Sequence, residues 1–353
     1  MPPRPTRRRR SSPSDPTLPI ALPAPTALPG RIRPERAVPC AAPFDSPAWR
    51  FSVDWDGVRA LLFASADGTV RVQGERLQDL TPLLPEIVAV AGALPERSAV
   101  LDGVVAVLDP EGKPDLAALA ERLCGGPRVA PAVFLATDLL HLDSTPTMAW
   151  NFDRRLEALR KLVRPDTHLQ VPDWVAADGH AFWDAAEERG LAAVVARRGE
   201  ARYHAGMTSP DRLRIPIEER ADVVVAGIEG DPGAHPVLHL AEYLDGRLVP
   251  AGRAEAKWSA TVAAWLRRRV EELVQTEAPP VAWLRPHLTA TVRHGGRAAD
   301  GSLRFPVVLA LREDLDPAGC VRRSPAPPPP DQPRTGGFRP TVLHTLPFPP
   351  REG

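Results

Sequence analysis

The sequence predicts an α+β fold for the first part of the chain and a smaller β-rich unit for the second. Up to about residue 220, segments with strand and helix periodicity are mixed without the regular βαβ alternation of a doubly wound sheet. Beyond that point, short strands separated by turns surround one helical segment. The 353 residues are 43% apolar and 25% charged, which is typical of a chain that folds around proper cores.

In the first unit, alternating apolar and polar residues predict strands, and Gly57 and Asp67-Gly68 mark turns between them. Helical spacing of apolar residues, as in Leu83, Leu84 and Ile87, alternates with these strands. The predicted strands are 49–55, 59–64, 70–73, 99–101, 104–108 and 133–140, and the predicted helices are 82–94, 114–123 and 151–162.

In the second unit, several predicted strands enclose a single predicted helix. This arrangement is consistent with an OB-type barrel, a fold that often contacts nucleic acid. Residues 216–220 are the predicted hinge between the two units. The predicted strands are 223–228, 237–243, 247–250, 288–293 and 302–309, and the predicted helix is 260–274.

Both ends of the chain are expected to be disordered. Residues 1–37 contain the basic cluster Arg7–Arg10, and prolines interrupt what would otherwise be a signal-peptide core. This basic arm is either a solvated tail without a role or a weak phosphate-binding tether. Residues 324–353 include the run Pro327–Pro330 and are also expected to stay extended.

Charge, hydropathy and cysteine content limit the partners and the compartment. The formal net charge is zero, so affinity for a nucleic acid would have to come from a local basic patch. No segment approaches the roughly 18 apolar residues of a membrane span. Cys40, Cys124 and Cys320 are too few and too scattered for a disulfide framework or a zinc site. We therefore expect a cytoplasmic monomer with no membrane partner and no bound metal.

A series of short motifs carries the functional signal. The first is Val53-Asp54-Trp55-Asp56-Gly57-Val58-Arg59, followed by Leu101-Asp102-Gly103-Val104-Val105 and Thr137-Asp138-Leu139-Leu140. Arg212-Leu213-Arg214-Ile215-Pro216 and Leu311-Arg312-Glu313-Asp314-Leu315 come later. In order and spacing, these motifs resemble the blocks of compact bacterial ATP-dependent DNA ligases, including the ligase module of end-joining enzymes. The resemblance covers roughly residues 38–318.

The resemblance implies a fold and a biological setting. It places a nucleotidyltransferase (adenylation) domain of ligase type over residues 38–218 and an OB-fold domain over residues 221–318. It also links the chain to DNA repair and recombination.

Several positions that the resemblance makes functional carry other residues. The lysine that becomes adenylated in the signature Lys-x-Asp-Gly-x-Arg is Asp54 here, and a carboxylate cannot form the phosphoramide. The glutamate of Asp-Gly-Glu is Val104, and the aromatic residue that stacks on adenine is Thr137. The family's Glu-Gly begins at Ala192, and the lysine that follows it is Arg197.

In the pattern Trp-Leu-Lys-x-Lys, which corresponds to residues 212–216, the two lysines are Arg214 and Pro216. The last block has Leu315 at a lysine position. The degenerate nucleotide site therefore comprises Asp54, Asp56, Gly57, Arg59, Val104, Thr137, Ala192, Arg197, Arg214 and Pro216.

We interpret the chain as a pseudo-ligase without an intact catalytic residue or a cofactor, which contacts duplex DNA weakly or binds a repair protein. One alternative is an active ligase that uses ATP and Mg²⁺ with a lysine from elsewhere; the chain has only Lys113, Lys161 and Lys257. Another is a partner-binding scaffold without nucleic acid. Asp54 and Asp56, two apart on a strand end with Asp102 nearby, either hold a divalent cation or are hydrated surface carboxylates.

The predicted DNA contacts are arginines of the second unit, which could pair with backbone phosphates. The triple arginine among them could equally be the polar face of a helix. The candidates are Arg267, Arg268, Arg269, Arg285, Arg293, Arg304 and Arg312.

Overall fold

A computed structural model describes residues 28–90, 94, 98–125, 130–322 and 329. The predicted tails therefore lie mostly outside the described residues. Within these residues, no helix is both long and apolar enough to cross a membrane.

In its described residues, the first unit contains two sheets and four α-helices. A five-stranded sheet has the order β1-β11-β10-β2-β9, and a six-stranded sheet has the order β4-β3-β5-β6-β7 with β8 beside β6. The elements are β1 Arg36–Pro39, β2 Ser46–Val53, β3 Val58–Ala64, β4 Val70–Gly74, α1 Pro85–Ala89, β5 Ala99–Val107, α2 Leu116–Leu123, β6 Ala132–Leu142, β7 Thr145–Pro146, α3 Phe152–Leu162, β8 Leu169–Gln170, β9 Val175–Ala177, α4 Gly179–Glu188, β10 Ala193–Arg198 and β11 Thr208–Pro216.

Strand β5 explains why this unit has layers on both sides of a sheet, because all nine of its residues are buried. Successive side chains of a strand point to opposite faces. Leu101 and Val105 belong to the core beneath the helices, whereas Val104 and Ala106 belong to the core between the two sheets. Asp54 and Asp56, which directly follow β2, and Arg214 of β11 are only partly buried. They lie at the edge of this layered core.

The second unit is a seven-stranded antiparallel sheet with one helix. Its order is β14-β13-β12-β16-β15, and β17 pairs with both β12 and β18. Trp265 and Leu266 of the helix pack against Val223, Val225 and Leu238 of the strands. The elements are β12 Arg220–Glu229, β13 Val237–Leu244, β14 Arg247–Glu255, α5 Ala260–Leu273, β15 Val274–Ala278, β16 Val281–Leu284, β17 Thr289–Arg293 and β18 Val307–Arg312.

The predicted α+β architecture is confirmed, and a few elements differ from the expected bounds. Instead of one helix over 82–94, a 3₁₀ turn at Thr81–Leu83 precedes the short helix α1. Pro85 disfavours a helical conformation at Leu84, which has φ −129° and ψ 51°, so the helix begins only at Pro85. In the last predicted strand, Phe305 has a φ of +50°, and β18 begins only at Val307.

The segment before β2 corrects the prediction of a tail that extends to residue 37. Ile32 and Glu35 are buried, and β1 pairs in parallel with β11. The Gln73 side-chain amide donates to the Ile32 carbonyl at 2.6 Å. These contacts hold residues 28–37 against both sheets.

We propose that the boundary between the two units lies at residues 216–220. Ile217 and Glu218 both donate backbone N–H groups to the Ala192 carbonyl, while Glu219 is exposed. A Glu-specific protease should therefore cut the folded protein after Glu219, because an exposed connecting segment opens more easily than a sheet. The readout is the appearance of two fragments on a gel. Glu219→Gln should slow the cut, and a core that resists cleavage in this segment would contradict the boundary.

Candidate functional site

A cavity of ≈ 280 Å³ lies where the two sheets of the first unit meet the second unit. Asp54 and Asp56, directly after β2, line it together with Arg214 of β11. Arg220 of β12 and Arg312 of β18 line it from the second unit. The cavity is therefore bounded by charged side chains from both units.

Asp54 forms an ion pair with Arg214. The Nε atom of Arg214 donates to the Oδ2 atom of Asp54 at 2.6 Å, and both side chains are about 30% exposed. Burial alone would lower the pKa of Arg214, but the Asp54 carboxylate outweighs it and raises that pKa. The Asp54 N–H donates to the Ala193 carbonyl at 3.0 Å. Both backbone and side chain therefore hold the carboxylate against β10 and β11.

Asp56 and Gly57 connect the two units. The Asp56 carboxylate accepts a hydrogen bond of 2.5 Å from Nη1 of Arg220, which also pairs with Glu218. Burial raises the pKa of Asp56 despite this partner. The Gly57 carbonyl accepts from Nη2 of Arg312 at 2.7 Å. A side chain at residue 57 would collide with the backbone of β5, which explains the glycine.

Arg59 and Asp102 form a buried two-point ion pair. Nε of Arg59 donates to Oδ1 of Asp102 at 2.6 Å, and Nη2 donates to Oδ2. The Tyr203 hydroxyl also donates to Oδ2, at 2.9 Å, and Asp102 is fully buried. Burial alone would lower the pKa of Arg59, but the Asp102 carboxylate raises it well above its usual value. Asp102 therefore acts as a structural anion.

Arg197 belongs to a second buried charge network. Its guanidinium bridges the carboxylates of Asp138 and Glu35, and Asp138 also accepts from Nε of Arg155 at 2.7 Å. All four side chains are at most 3% exposed. Although burial would raise the pKa of Asp138, Arg197 and Arg155 hold it below its ordinary value. The Arg197 guanidinium is therefore occupied by the protein itself.

The remaining predicted site residues are not brought together. Val104 lines the cavity, but Thr137, Ala192 and Pro216 do not. The Thr137 hydroxyl donates to the Asp102 carbonyl at 3.2 Å, and the Pro216 carbonyl accepts from the indole N–H of Trp183 at 3.1 Å.

The structure gives no support to a cation bound by Asp54, Asp56 and Asp102. Each of these carboxylates pairs with a different arginine. Over the described ranges, no group of three or more His, Cys, Asp or Glu residues is placed to hold a metal ion.

The arginines predicted to contact DNA fall into two groups. Arg312 is buried, and its Nε and Nη2 atoms donate to Asp314 at 2.7 and 2.6 Å, so a carboxylate of the chain already occupies its guanidinium. Arg267 pairs with Asp231, and Arg269 pairs with Glu272 and Glu313. The exposed remainder is Arg268, Arg285, Arg293 and Arg304.

Sequence reasoning missed Glu35, Tyr203 and Arg212. Glu35 pairs with Arg197, Tyr203 donates to Asp102, and Arg212 lines the cavity while being only 6% exposed. Arginine is rarely so buried without a partner. No local signal identifies Glu35 or Tyr203, since their partners are more than 100 residues away.

An α+β unit and an OB-fold unit that meet at a charged cavity define the ligase-type nucleotidyltransferase class. Two family models match the chain. The model described as "ATP dependent DNA ligase domain" matches residues 40–215, and the one described as "ATP dependent DNA ligase C terminal region" matches residues 233–315. The chain therefore belongs to the ATP-dependent DNA ligase family.

Individual relatives agree with this assignment. A "Multifunctional non-homologous end joining DNA repair protein LigD" from Mycobacterium tuberculosis is 28% identical over 289 residues, which are 78% of this chain and 37% of the relative. A "Probable DNA ligase" from Nocardioides sp. is 31% identical over 269 residues, 73% of this chain and 51% of the relative. The chain thus spans well under two thirds of the length of these relatives.

A solved structure shows the same fold. The structure described as "mycobacterial DNA ligase D complexed with ATP and MES" is 27% identical in sequence and has a TM-score of 0.62. The match covers 83% of this chain and 98% of that chain. The similarity therefore includes both units.

Proposed function

We propose that this chain is an adenylation-deficient member of the DNA ligase family that works in DNA repair or recombination. The observation that carries the proposal is the ion pair between Asp54 and Arg214 at the position of the nucleophilic lysine. An amine is required to attack the α-phosphate of ATP and form the phosphoramide. The Asp54 carboxylate has no amine and is already bound by the Arg214 guanidinium. It can therefore neither attack the α-phosphate nor form the phosphoramide.

The other family roles also lack suitable groups. Val104 lines the cavity with an alkyl side chain, which offers no hydrogen bond and no metal ligand. Leu315, at a lysine position of the last motif, lines it as well. Thr137 cannot stack on a base, because it has no ring. The losses therefore extend to the stacking ring for the base and to a lysine of the family's phosphate site.

The cavity does not fit ATP with magnesium. Phosphoryl transfer relies on cations aimed at the phosphates and on carboxylates that hold the metal. Here Arg214, Arg220 and Arg312 are each held by a carboxylate of the chain, which removes the cations from that task. The proposed function therefore needs neither ATP nor magnesium.

The alternative of an active ligase needs a lysine near the cavity. None of the three lysines lines it. Lys113 and Lys257 are exposed, and Lys161 pairs with Glu157 on the outer side of α3. Since a nucleophile must be close to the phosphate that it attacks, these positions favour the adenylation-deficient reading.

Contact with duplex DNA, or with a repair protein, is the second part of the proposal. Its support is the similarity to LigD relatives, which are described as end-joining DNA repair proteins, and the exposed arginines on the second unit. Arg268, Arg293 and Arg304 have no ion pair with any described residue. Guanidinium groups free of internal carboxylates can neutralise phosphates.

A cytoplasmic location is proposed because the three cysteines are free thiols.

Binding to a nicked duplex should be weak, independent of sequence and strongly dependent on salt. If Arg268, Arg285, Arg293 and Arg304 each neutralise one phosphate, the slope of log affinity against log salt should be about −3.6. Fluorescence anisotropy at several salt concentrations measures it. The double variant Arg293→Gln/Arg304→Gln should bring the slope to about −1.8.

Arg164→Gln, an exposed arginine beyond α3, is the matched control and should leave the slope unchanged. Lack of any binding at low salt would overturn the DNA part of the proposal. It would leave a partner-binding scaffold as the better account.

A further inference from the structure

Six arginines of the described chain line the cavity between the two units, and two of them have no described carboxylate oxygen closer than 3.7 Å. Among the described residues, the nearest carboxylate oxygen lies 3.7 Å from Arg36 and 3.8 Å from Arg212. The Arg36 side chain is 40% exposed, so water can hydrate its charge, whereas the Arg212 side chain is only 7% exposed. Arg212 is therefore a buried cation that the chain does not neutralise directly.

The surroundings of Arg212 make this cation costly. Asp102, its nearest acid, is already bound by Arg59 and Tyr203. Burial and the neighbouring Arg59 and Arg197 lower the pKa of Arg212 to about 9. Its one hydrogen bond to a described residue is a long contact of 3.4 Å to the Glu35 carbonyl. A buried charge without a partner destabilises a protein unless an ion of opposite sign binds beside it.

Two further donors of the cavity lining are buried without an acceptor among the described residues. They are the indole N–H of Trp55 and the Nε–H of Arg36. Trp55 directly follows Asp54 and is 6% exposed. Buried donors are normally satisfied, so several unsatisfied donors around one cavity indicate a ligand that accepts hydrogen bonds.

The acids in the same lining are accounted for by other groups. Asp56 binds Arg220, and Asp222 accepts from the Thr291 hydroxyl at 2.6 Å. Burial raises the pKa of Glu75, and its carboxylate lies 3.7 Å from Nη1 of Arg36. These acids therefore leave donors of Arg212 available.

The cavity offers little to a nucleobase. Trp55 is its only aromatic lining residue in the described part of the chain, and that ring belongs to the core between the sheets. The sequence resemblance places Arg212 where the family pattern has a tryptophan. This chain therefore has a positive charge where the pattern has an uncharged ring. The geometry therefore favours the phosphate group alone over a whole nucleotide.

We propose that the cavity binds a free phosphate-type oxyanion, with the Arg212 guanidinium as its main donor. This proposal rests on the proposed loss of adenylation and names the ligand class that the remnant site accepts. Because Thr291 and Arg312 of the second unit also line the cavity, the bound anion stabilises the assembled pair of units.

The test is calorimetric titration of the whole chain with inorganic phosphate, AMP and adenosine at constant ionic strength. Phosphate should bind, AMP should bind no more tightly than phosphate, and adenosine should not bind. Arg212→Gln should weaken phosphate binding by about tenfold or more, because it removes charge-assisted hydrogen bonds. Arg198→Gln, which removes an arginine paired with Asp211 outside the cavity, should leave it unchanged.

Thermal unfolding separates ligand binding from a purely structural role of Arg212. In chloride buffer, Arg212→Gln should melt at the temperature of the wild type or above it, because the variant lacks an uncompensated buried charge. In phosphate buffer, the wild type should melt at the higher temperature.

Two outcomes would overturn the proposal. One is equal phosphate binding, or none, in wild type and Arg212→Gln. The other is AMP binding that exceeds phosphate binding together with measurable binding of adenosine, which would indicate a retained base site. Neither outcome concerns covalent adenylation, which intact mass measures separately.

Discussion

No covalent AMP should accumulate on this protein when it is incubated with α-labelled ATP and magnesium. Asp54 has no amine, and none of the three lysines lines the cavity. Intact-mass spectrometry should therefore show an unchanged mass, and a nicked duplex should remain unsealed. A stoichiometric adenylate on any lysine would contradict the proposed function.

Asp54→Lys alone should also remain inactive. The new ammonium would lie beside Arg214, the present partner of Asp54, so two like charges would face each other. Val104 would still offer no carboxylate and Thr137 no ring. Asp54→Asn is the matched control, since it removes the charge without adding a nucleophile. Sealing by the lysine variant would mean that the other departures are tolerated.

Asp138→Asn should destabilise the protein by about 3–5 kcal/mol, because removing one member of a buried ion pair leaves an uncompensated charge. Asp138 binds Arg155 and Arg197, and its side chain is fully buried. Urea unfolding of the isolated variant measures the loss. Asp153→Asn is the matched control: Asp153 also forms a two-point pair with an arginine, Arg50, but at 37% exposure. That surface pair should contribute about 0–1 kcal/mol.

The same network predicts how stability depends on pH. The folded-state pKa of Asp138 lies below its ordinary value. Its contribution is therefore fully present above the pKa of the unfolded chain and is lost as pH falls through the folded-state pKa. The stability of Asp138→Asn should fall less steeply in acid than that of the wild type. Equal acid slopes would show that Asp138 does not carry this effect.

Periodicity predicted the regular elements because their signals are local. Helix α5 was expected at 260–274 and spans Ala260–Leu273, where Ser259 accepts the N–H of Val262 as an N-cap. Of the helix expected at 82–94, only α1 forms among the described residues, because Pro85 restricts the residue before it; residues 91–93 lie outside the described residues. Helix α4, Gly179–Glu188, was missed since it buries only Gly179, Phe182 and Ala186.

The candidate site was predicted only where it coincides with motifs. Asp54, Asp56 and Arg214 do line one cavity. Glu35 could not be found in this way, because its role depends on an arginine 162 residues further along the chain. The burial of Arg212 likewise depends on how the two sheets pack.

Glu35 has a practical consequence for anyone who wishes to trim this protein by homology. The family match begins at residue 40, so a shortened chain starting there would discard Glu35 together with strand β1. Arg197 would lose one of its two carboxylates, and β11 would become an edge strand with unpaired backbone groups. Poor solubility of such a fragment would then reflect the chosen starting residue rather than an intrinsic weakness of the fold.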